Sequence, residues 1–309
     1  MNYEAVGLGT VSEHGLRERV LMLRAIEWFD GLDDRALLLL TEHARSVRYP
    51  PGAIVSRAGQ AVRAVYVVST GEVSLDREGG DLRFGPGTAF GAMALLARKP
   101  LGLVRALTDT RILEIPAPVF EAAIDENFSV LRGTLRATGA AVLKARGNLP
   151  ADPSEQREVE LGTFHEPPRT LVERLIELRA GPFGYMNLDA LVDLARHMRE
   201  VRVPAGQLLW SVGDPSTHAF HVGYGKVRCT ASDGRHVDVG RGFTIGVLDV
   251  WGSEGRAYEA KAETDLIGFA VDFENFLSLL ETHVEVGIDI LRGFAQAIID
   301  QPGTSTRPV

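Results

Sequence analysis

Residues Gly87–Asp109, GTAFGAMALLARKPLGLVRALTD, decide how the rest of the chain is read. The stretch reads as a glycine-flanked turn, a short apolar helical turn from about Ala92, a loop, and a strand leaving through Val104, Ala106 and Thr108. A short helix whose first amides open into a Gly-lined turn is a frame for an anion. An altered copy lies at Gly242–Asp265, GFTIGVLDVWGSEGRAYEAKAETD. Whether either copy keeps side chains suited to a phosphate is the functional question.

Working outward, the two copies belong to a longer repeat. Leu16–Ala25 (LRERVLMLRA) matches Leu171–Ala180 (LVERLIELRA), and Val47–Gly52 (VRYPPG) matches Val201–Gly206 (VRVPAG). The turns between strands follow suit. Ser69-Thr70-Gly71-Glu72-Val73 matches Gly223-Tyr224-Gly225-Lys226-Val227, Thr108-Asp109 matches Thr264-Asp265, and Phe120 matches Phe276. An offset of about 155 residues is too long for a solenoid period and marks a duplicated domain. Within each copy, β-rich runs such as Val65–Val68 and Val73–Leu75 are separated by Gly59, Gly71 and Gly79-Gly80, the spacing of an all-β sandwich or barrel. Helical stripes flank them: Ser12–Phe29, including Leu16, Val20, Leu23 and Trp28; Asp34–Ala44, capped by Asp33; Val119–Arg146; and Val284–Ile299. The strand Arg111–Ile115 and Pro116 lead into the third of these. The expected division is a first domain over 12–147, a Pro/Glu/Gly-rich linker over 148–169, a second domain over 170–300, and a tail over 301–309.

The 309 residues suffice for two domains, and 45% hydrophobic with 24% charged residues is the balance of a globular protein. A net charge of -8 argues against coating nucleic acid, where clustered Lys and Arg supply the affinity. The single cysteine, Cys229, rules out an intrachain disulfide and reads as a small core residue. The N-terminus lacks the pattern of a secretory signal, and the longest apolar runs, such as Ala36–Leu40, are too short to span a bilayer. A cytoplasmic protein is the expectation.

The motifs resemble those of the cyclic-nucleotide-binding domain family, which includes catabolite activator proteins and regulatory subunits of cyclic-AMP-dependent protein kinase. In the second copy the resemblance is carried by Pro204-Ala205-Gly206, Gly213-Asp214-Pro215, Phe220-His221-Val222, Gly225-Lys226-Val227 and Gly242. In the first it is carried by Pro51-Gly52, Gly59, Val65–Val68, Gly71-Glu72-Val73, Pro86-Gly87 and Phe90-Gly91. It implies a mainly β chain with flanking helices, built as two tandem β-barrel (jelly-roll) domains.

The resemblance also implies a phosphate cassette, roughly Phe-Gly-Glu-Leu-Ala-Leu, a loop, then Pro-Arg-Ala-Ala. In the family its glutamate accepts from the ribose 2′-hydroxyl and its arginine pairs with the cyclic phosphate. The first copy reads Gly91-Ala92-Met93, with Ala92 at the glutamate position and Leu101 or Pro100 at that of the arginine. Arg98 and Lys99 precede that position and read either as cations that swing into the pocket or as solvated loop charges. The second reading leaves an apolar cup where a nucleotide would lose its hydration without a counter-charge. The second copy reads Gly246-Val247-Leu248-Asp249-Val250-Trp251, with Val247 at the glutamate position and Asp249 two residues on. Alignment from Ala262 places Arg256, followed by Ala257, at the phosphate-binding arginine. Pairing of Arg256 with Glu254 or Glu259, or plain solvation, is the competing reading. Trp251 reads either as a purine-stacking ring or as a core aromatic.

His218 and His221 invite comparison with a cupin-like metal pair, but three residues apart on a strand they face opposite sides. No nucleophile elbow, His-Glu-x-x-His pair or Walker loop is present, so no catalytic residue, metal or resident cofactor is expected. The second barrel stands where transcription-factor relatives carry a helix-turn-helix, and no Arg-Arg-x-Ser/Ala sequence precedes the first, so neither DNA readout nor kinase inhibition is implied. The expected function is that of a non-catalytic regulatory or adaptor protein with diverged pockets, binding a protein or peptide partner through its flanking helices. A helix after a barrel offers a homodimer contact. The rival readings are a sensor holding a cyclic nucleotide or other phosphate ligand through Arg256, and a jelly-roll enzyme.

Overall fold

The computed structural model describes residues 13–300 apart from 27–28, 30–31, 77–79, 154–157, 167, 182 and 253–254. The expected helix start at Ser12, the Trp28 end of its stripe, Gly79, Glu254 and the tail from residue 301 lie outside the described residues. The chain divides into two compact units, one running to Thr134 and one from Leu135 to Asp300.

In the first unit, α1 (Glu13–Arg24) and α2 (Asp34–Glu42) precede the strands. Asp33 caps α2, its carboxylate accepting from the Ala36 amide at 2.7 Å. The strands are β1 (Arg45–Tyr49), β2 (Ile54–Ser56), β3 (Ala64–Thr70), β4 (Val73–Leu75), β5 (Leu82–Phe84), β6 (Ala89–Phe90), β7 (Val104–Ala106) and β8 (Thr110–Pro116). They form two antiparallel sheets of four strands, ordered β1-β8-β3-β6 and β2-β7-β4-β5, which is a jelly-roll arrangement of two sheets rather than one closed ladder. The short helix α3 (Ala92–Leu96) follows β6.

The helix expected over Val119–Arg146 is two helices, α4 (Ala117–Glu126) and α5 (Phe128–Ala145). Asn127 breaks them by adopting an extended backbone, φ -132° and ψ 103°. Its side chain accepts from the Ser129 amide at 3.0 Å, satisfying a donor at the start of α5. The boundary between the two units falls within α5.

The second unit opens with α6 (Leu171–Ala180), started by a reciprocal capping box between Thr170 and Glu173, and α7 (Leu188–His197). Its strands are β9 (Arg199–Val203), β10 (Leu208–Trp210), β11 (His218–Tyr224), β12 (Val227–Ala231), β13 (His236–Val239), β14 (Thr244–Ile245), β15 (Tyr258–Ala262) and β16 (Leu266–Asp272). The six-residue α8 (Val247–Gly252) lies between β14 and β15, and α9 (Phe273–Thr282) and α10 (Val284–Ile299) close the unit. The sheet orders, β9-β16-β11-β14 and β10-β15-β12-β13, reproduce those of the first unit strand for strand. Both copies of the repeat therefore have one topology.

Alternation along the strands builds the second core. Val227, Cys229 and Ala231 of β12, Val237 and Val239 of β13, and Tyr258, Ala260 and Ala262 of β15 all turn inward. They meet Phe220, Val222, Ile245, Leu266 and Ala270 from the facing sheet. Cys229 is fully buried among them, and burial pushes its thiol well above the ordinary range, so it behaves as a small apolar residue.

Candidate functional site

Each cassette begins at a glycine with a left-handed backbone. Gly91 has φ +90° and Gly246 φ +83°, a conformation that side-chain-bearing residues rarely adopt. At both, the chain leaves a short strand and starts a short helix, so the backbone frame expected from the sequence is present twice.

In the first unit, Ala92 and Leu101 are buried and Met93 is half-buried, while Arg98 and Lys99 are exposed. Beneath Gly91 lies Tyr66, whose ring stacks on Phe90 with centroids 4.9 Å apart, and Phe90 in turn meets Phe84 from the other sheet. The space under this cassette is thus taken by aromatic rings. It is not wholly without charge, as the sequence suggested. Glu114 of β8 is the cross-strand partner of Tyr66 and accepts a 2.5 Å hydrogen bond from the Tyr49 hydroxyl. Burial holds the Glu114 carboxyl above its ordinary range, with Tyr49 pulling the other way. A carboxylate entering from the sheet opposes a phosphate rather than receiving it. The sequence signal for Glu114 was only its alternation with Ile112 in a strand.

In the second unit, Arg256 is buried, with 2% of its surface accessible. It is neither solvated nor paired with Glu259. Its guanidinium turns inward, 3.6 Å from the Asp249 carboxylate, with Nη2 donating to the His218 carbonyl at 2.6 Å. Its Cζ lies 3.9 Å from the centroid of the Trp210 ring, a cation–π contact inside the protein. Asp249 also accepts from the Ala257 amide at 3.3 Å. Burial is the largest influence on both charged groups: it pushes the Asp249 carboxyl up to about 6, against the pull of Arg256, and it lowers the Arg256 guanidinium. The Gly246 amide donates to the Tyr258 hydroxyl at 2.8 Å. The amide that a phosphate would need is already bonded to Tyr258. Of the guanidinium's donors only Nη2 has a hydrogen-bond partner, Nε and Nη1 being buried without one beside the equally unbonded Asp249 Oδ2.

The other cassette side chains separate. Gly246, Val247 and Leu248 line a cavity of about 310 Å³ between the outer face of β11 and β16 and helix α10, and Arg256 does not reach it. Trp251 packs edge-on against Phe273 with centroids 5.0 Å apart, as a core aromatic beside α9. The indole beside Arg256 is instead Trp210, from β10, which no motif in the sequence marked. His221 is fully buried, its Nδ1 2.9 Å from Thr244 Oγ1 and its ring between Phe183 and Phe269. Burial pushes its pKa down to about 4. Among the described residues no group of three or more His, Cys, Asp or Glu side chains is placed to hold a metal ion.

The segment that composition marks as a linker also contributes to the second unit. After α5, Gly147 (φ +66°) and Asn148 (φ +62°) both take left-handed conformations, and the Asn148 amide closes the helix onto the Leu143 carbonyl at 2.8 Å. The chain turns sharply, and Leu149, 0% exposed, and Ala151, 1% exposed, enter the core cluster formed by the inward faces of both sheets. Tyr258, which holds the cassette amide, belongs to the same cluster. Complete burial of a leucine stabilises a fold by roughly 2 kcal/mol. The signal for this was two apolar residues in a polar, proline-rich stretch.

The cyclic nucleotide-binding domain model matches residues 46–127 and 200–283. No curated protein matches the chain. Among solved structures, the regulatory subunit of a cAMP-independent protein kinase A from Trypanosoma brucei is 16% identical, with 94% of this chain and 91% of that chain covered and a TM-score of 0.38. The regulatory domain of Toxoplasma gondii PKA, crystallised with cAMP, is 17% identical over 92% of this chain and 98% of that one, with a TM-score of 0.36. The N-terminal domain of a transcriptional regulator from Streptomyces coelicolor A3(2) is 28% identical over 40% of this chain and 90% of that one, with a TM-score of 0.35. With the family model matched in both halves and one jelly-roll topology repeated around two glycine-started cassettes, the chain belongs to the cyclic nucleotide-binding domain family and carries two copies of that domain.

Proposed function

We propose that this chain is a non-catalytic regulatory protein that acts by binding a protein or peptide partner, and that neither of its two domains serves as a cyclic-nucleotide receptor. The observation that carries this reading is the burial of Arg256 against Asp249, the His218 carbonyl and Trp210. A phosphate would reach the buried Nε and Nη1 only by entering the enclosure that the guanidinium shares with the Asp249 carboxylate, and so by competing with that ion pair. Breaking a buried ion pair by removing one partner costs about 3–5 kcal/mol. No carboxylate replaces the family's ribose-binding glutamate at Ala92 or Val247, so little would offset that cost. Under the first cassette, the aromatic rings and Glu114 support the same conclusion.

The competing sensor reading rests on Arg256 occupying the position of the family's phosphate-binding arginine. Calorimetry and thermal unfolding of the whole protein with cyclic AMP, cyclic GMP and cyclic dinucleotides at millimolar concentration separate the two. A ligand that binds only the folded state must raise the melting temperature. The expected result is no heat and no shift. A shift that disappears in Arg256→Lys, which keeps the charge but loses the planar fork, would establish the sensor instead.

A further inference from the structure

We infer that the interior of the second domain is a binding site for an apolar peptide segment, and that its occupant is the chain's own Leu149-Pro150-Ala151. The inference rests on the reading of that domain as closed to nucleotides, and goes further by naming what fills it. A jelly roll of this size can complete its core with residues from its own strands, as Val227, Cys229, Val237 and Tyr258 do. Leu149 and Ala151 come from outside the strands and from outside the helices that bracket them, yet both are buried in the same cluster.

The approach is built rather than incidental. Gly147 and Asn148 make the turn with consecutive left-handed residues, and a Cβ on Gly147 would collide with the Arg235 guanidinium at the tip of the β12–β13 hairpin. Arg235 is itself held by Asp233 at 2.6 Å and reaches the Gly147 carbonyl at 3.3 Å. Arg146 Nη1 donates to the Pro150 carbonyl at 2.8 Å, fixing the segment from the other side. Backbone bonds at its flanks, apolar side chains directed inward and a rigid proline between them are the elements of peptide recognition, supplied here in cis. The Gly246 amide of the cassette is bonded to Tyr258, a member of the same cluster.

A segment bound this way can be exchanged for an identical one. A full-length variant carrying Asn148→Gly, Leu149→Ser, Pro150→Gly and Ala151→Ser is titrated calorimetrically with the synthetic peptide RGNLPADP, the sequence of residues 146–153. The expected result is one-to-one binding with a raised melting temperature, and no binding by the peptide with aspartate in place of its leucine. The tethered segment of the natural chain competes at an effective concentration on the order of 1 mM, so a peptide binding the variant at about 10 μM should reach the natural protein about 100-fold more weakly. A folded variant that ignores the peptide, or a natural protein that binds it equally well, overturns the inference. If the variant does not fold, hydrogen exchange on the natural protein decides: the Leu149 and Ala151 amides should exchange faster than those of β12 and β15, and exchange at the same rate overturns it. Nucleotide binding by the natural protein would defeat the reading of the pocket as closed, whereas failure of peptide binding defeats only the assignment of its occupant.

Discussion

At the scale of single residues, the second domain holds three buried titratable groups whose surroundings push them in different directions. Arg256 is compensated by a carboxylate, a carbonyl and an indole face, which is how a guanidinium is retained in an interior that would otherwise exclude it. His221 has apolar rings on two sides, and its pKa is pushed down to about 4 from an ordinary value near 6.5. The folded protein therefore binds fewer protons at this ring than the unfolded chain between those two values. Its contribution is complete above pH 6.5 and is lost as the pH falls to 4, worth roughly 3 kcal/mol. Asp249 runs the opposite way, because burial raises it to about 6: its contribution is complete below the ordinary carboxylate value and is lost as the pH rises through 6. The two slopes oppose each other between pH 4 and 6. Urea unfolding should accordingly find these two contributions nearly cancelling across that window, beside the slope of Glu114, which burial also raises. His221→Phe should expose the Asp249 slope, with stability falling as the pH rises. A variant with the same pH profile as the natural protein would show that His221 is not the group responsible.

At the scale of elements, glycines at different places do different work. Gly246 starts α8 with φ +83°, and a Cβ there would lie 2.6 Å from Arg256 Nη1, so both backbone and packing require glycine. Gly293, inside α10, has an ordinary helical conformation and nothing within 4 Å of the place its Cβ would take, on the side of the 310 Å³ cavity. A helix interior carries an entropic penalty for such a residue with no packing in return. Gly293→Ala should stabilise the protein by about 0.5–1 kcal/mol in chemical unfolding, and a loss of stability would mean that the helix needs that glycine for a reason other than its backbone. The same comparison explains the break between α4 and α5: the apolar stripe runs on through Phe128, but Asn127 prefers to cap, and the local hydrogen bond to Ser129 wins over helical continuity.

At the scale of the whole molecule, the second compact unit takes in the stretch of linker composition. The second unit begins at Leu135, within α5. Inside that unit α5 packs closely on α8, since a Cβ on Gly139 would meet that of Trp251 at 2.9 Å and Gly252 lies against Ala140. A fragment of residues 135–300 should therefore be more stable than one of residues 170–300, which lacks this helix together with Leu149 and Ala151. Loss of one buried leucine alone costs about 2–5 kcal/mol, enough to lower the melting temperature on the order of 10 °C. Equal melting temperatures for the two fragments would show that the segment before residue 170 adds nothing to the fold.

The sequence by itself determined the duplication, the class of fold and the two cassette frames, because these depend on local chemistry: left-handed positions demand glycine, strand faces alternate, and an offset of about 155 residues repeats both. It also marked Arg256 as the cation of the second cassette and Ala92, Val247 and Leu101 as positions without the family's polar groups. Only the tertiary structure decided what Arg256 does there. Its partners come from β10, β11 and α8, and nothing in sequence spacing records that Trp210 and the His218 carbonyl converge on a side chain from another part of the chain. The same holds for Leu149, whose flanking Gly, Pro and acidic residues give the composition of a linker. Burial is a property of what the rest of the chain places around a residue, and for these two side chains the surroundings were assembled from segments far apart in the sequence.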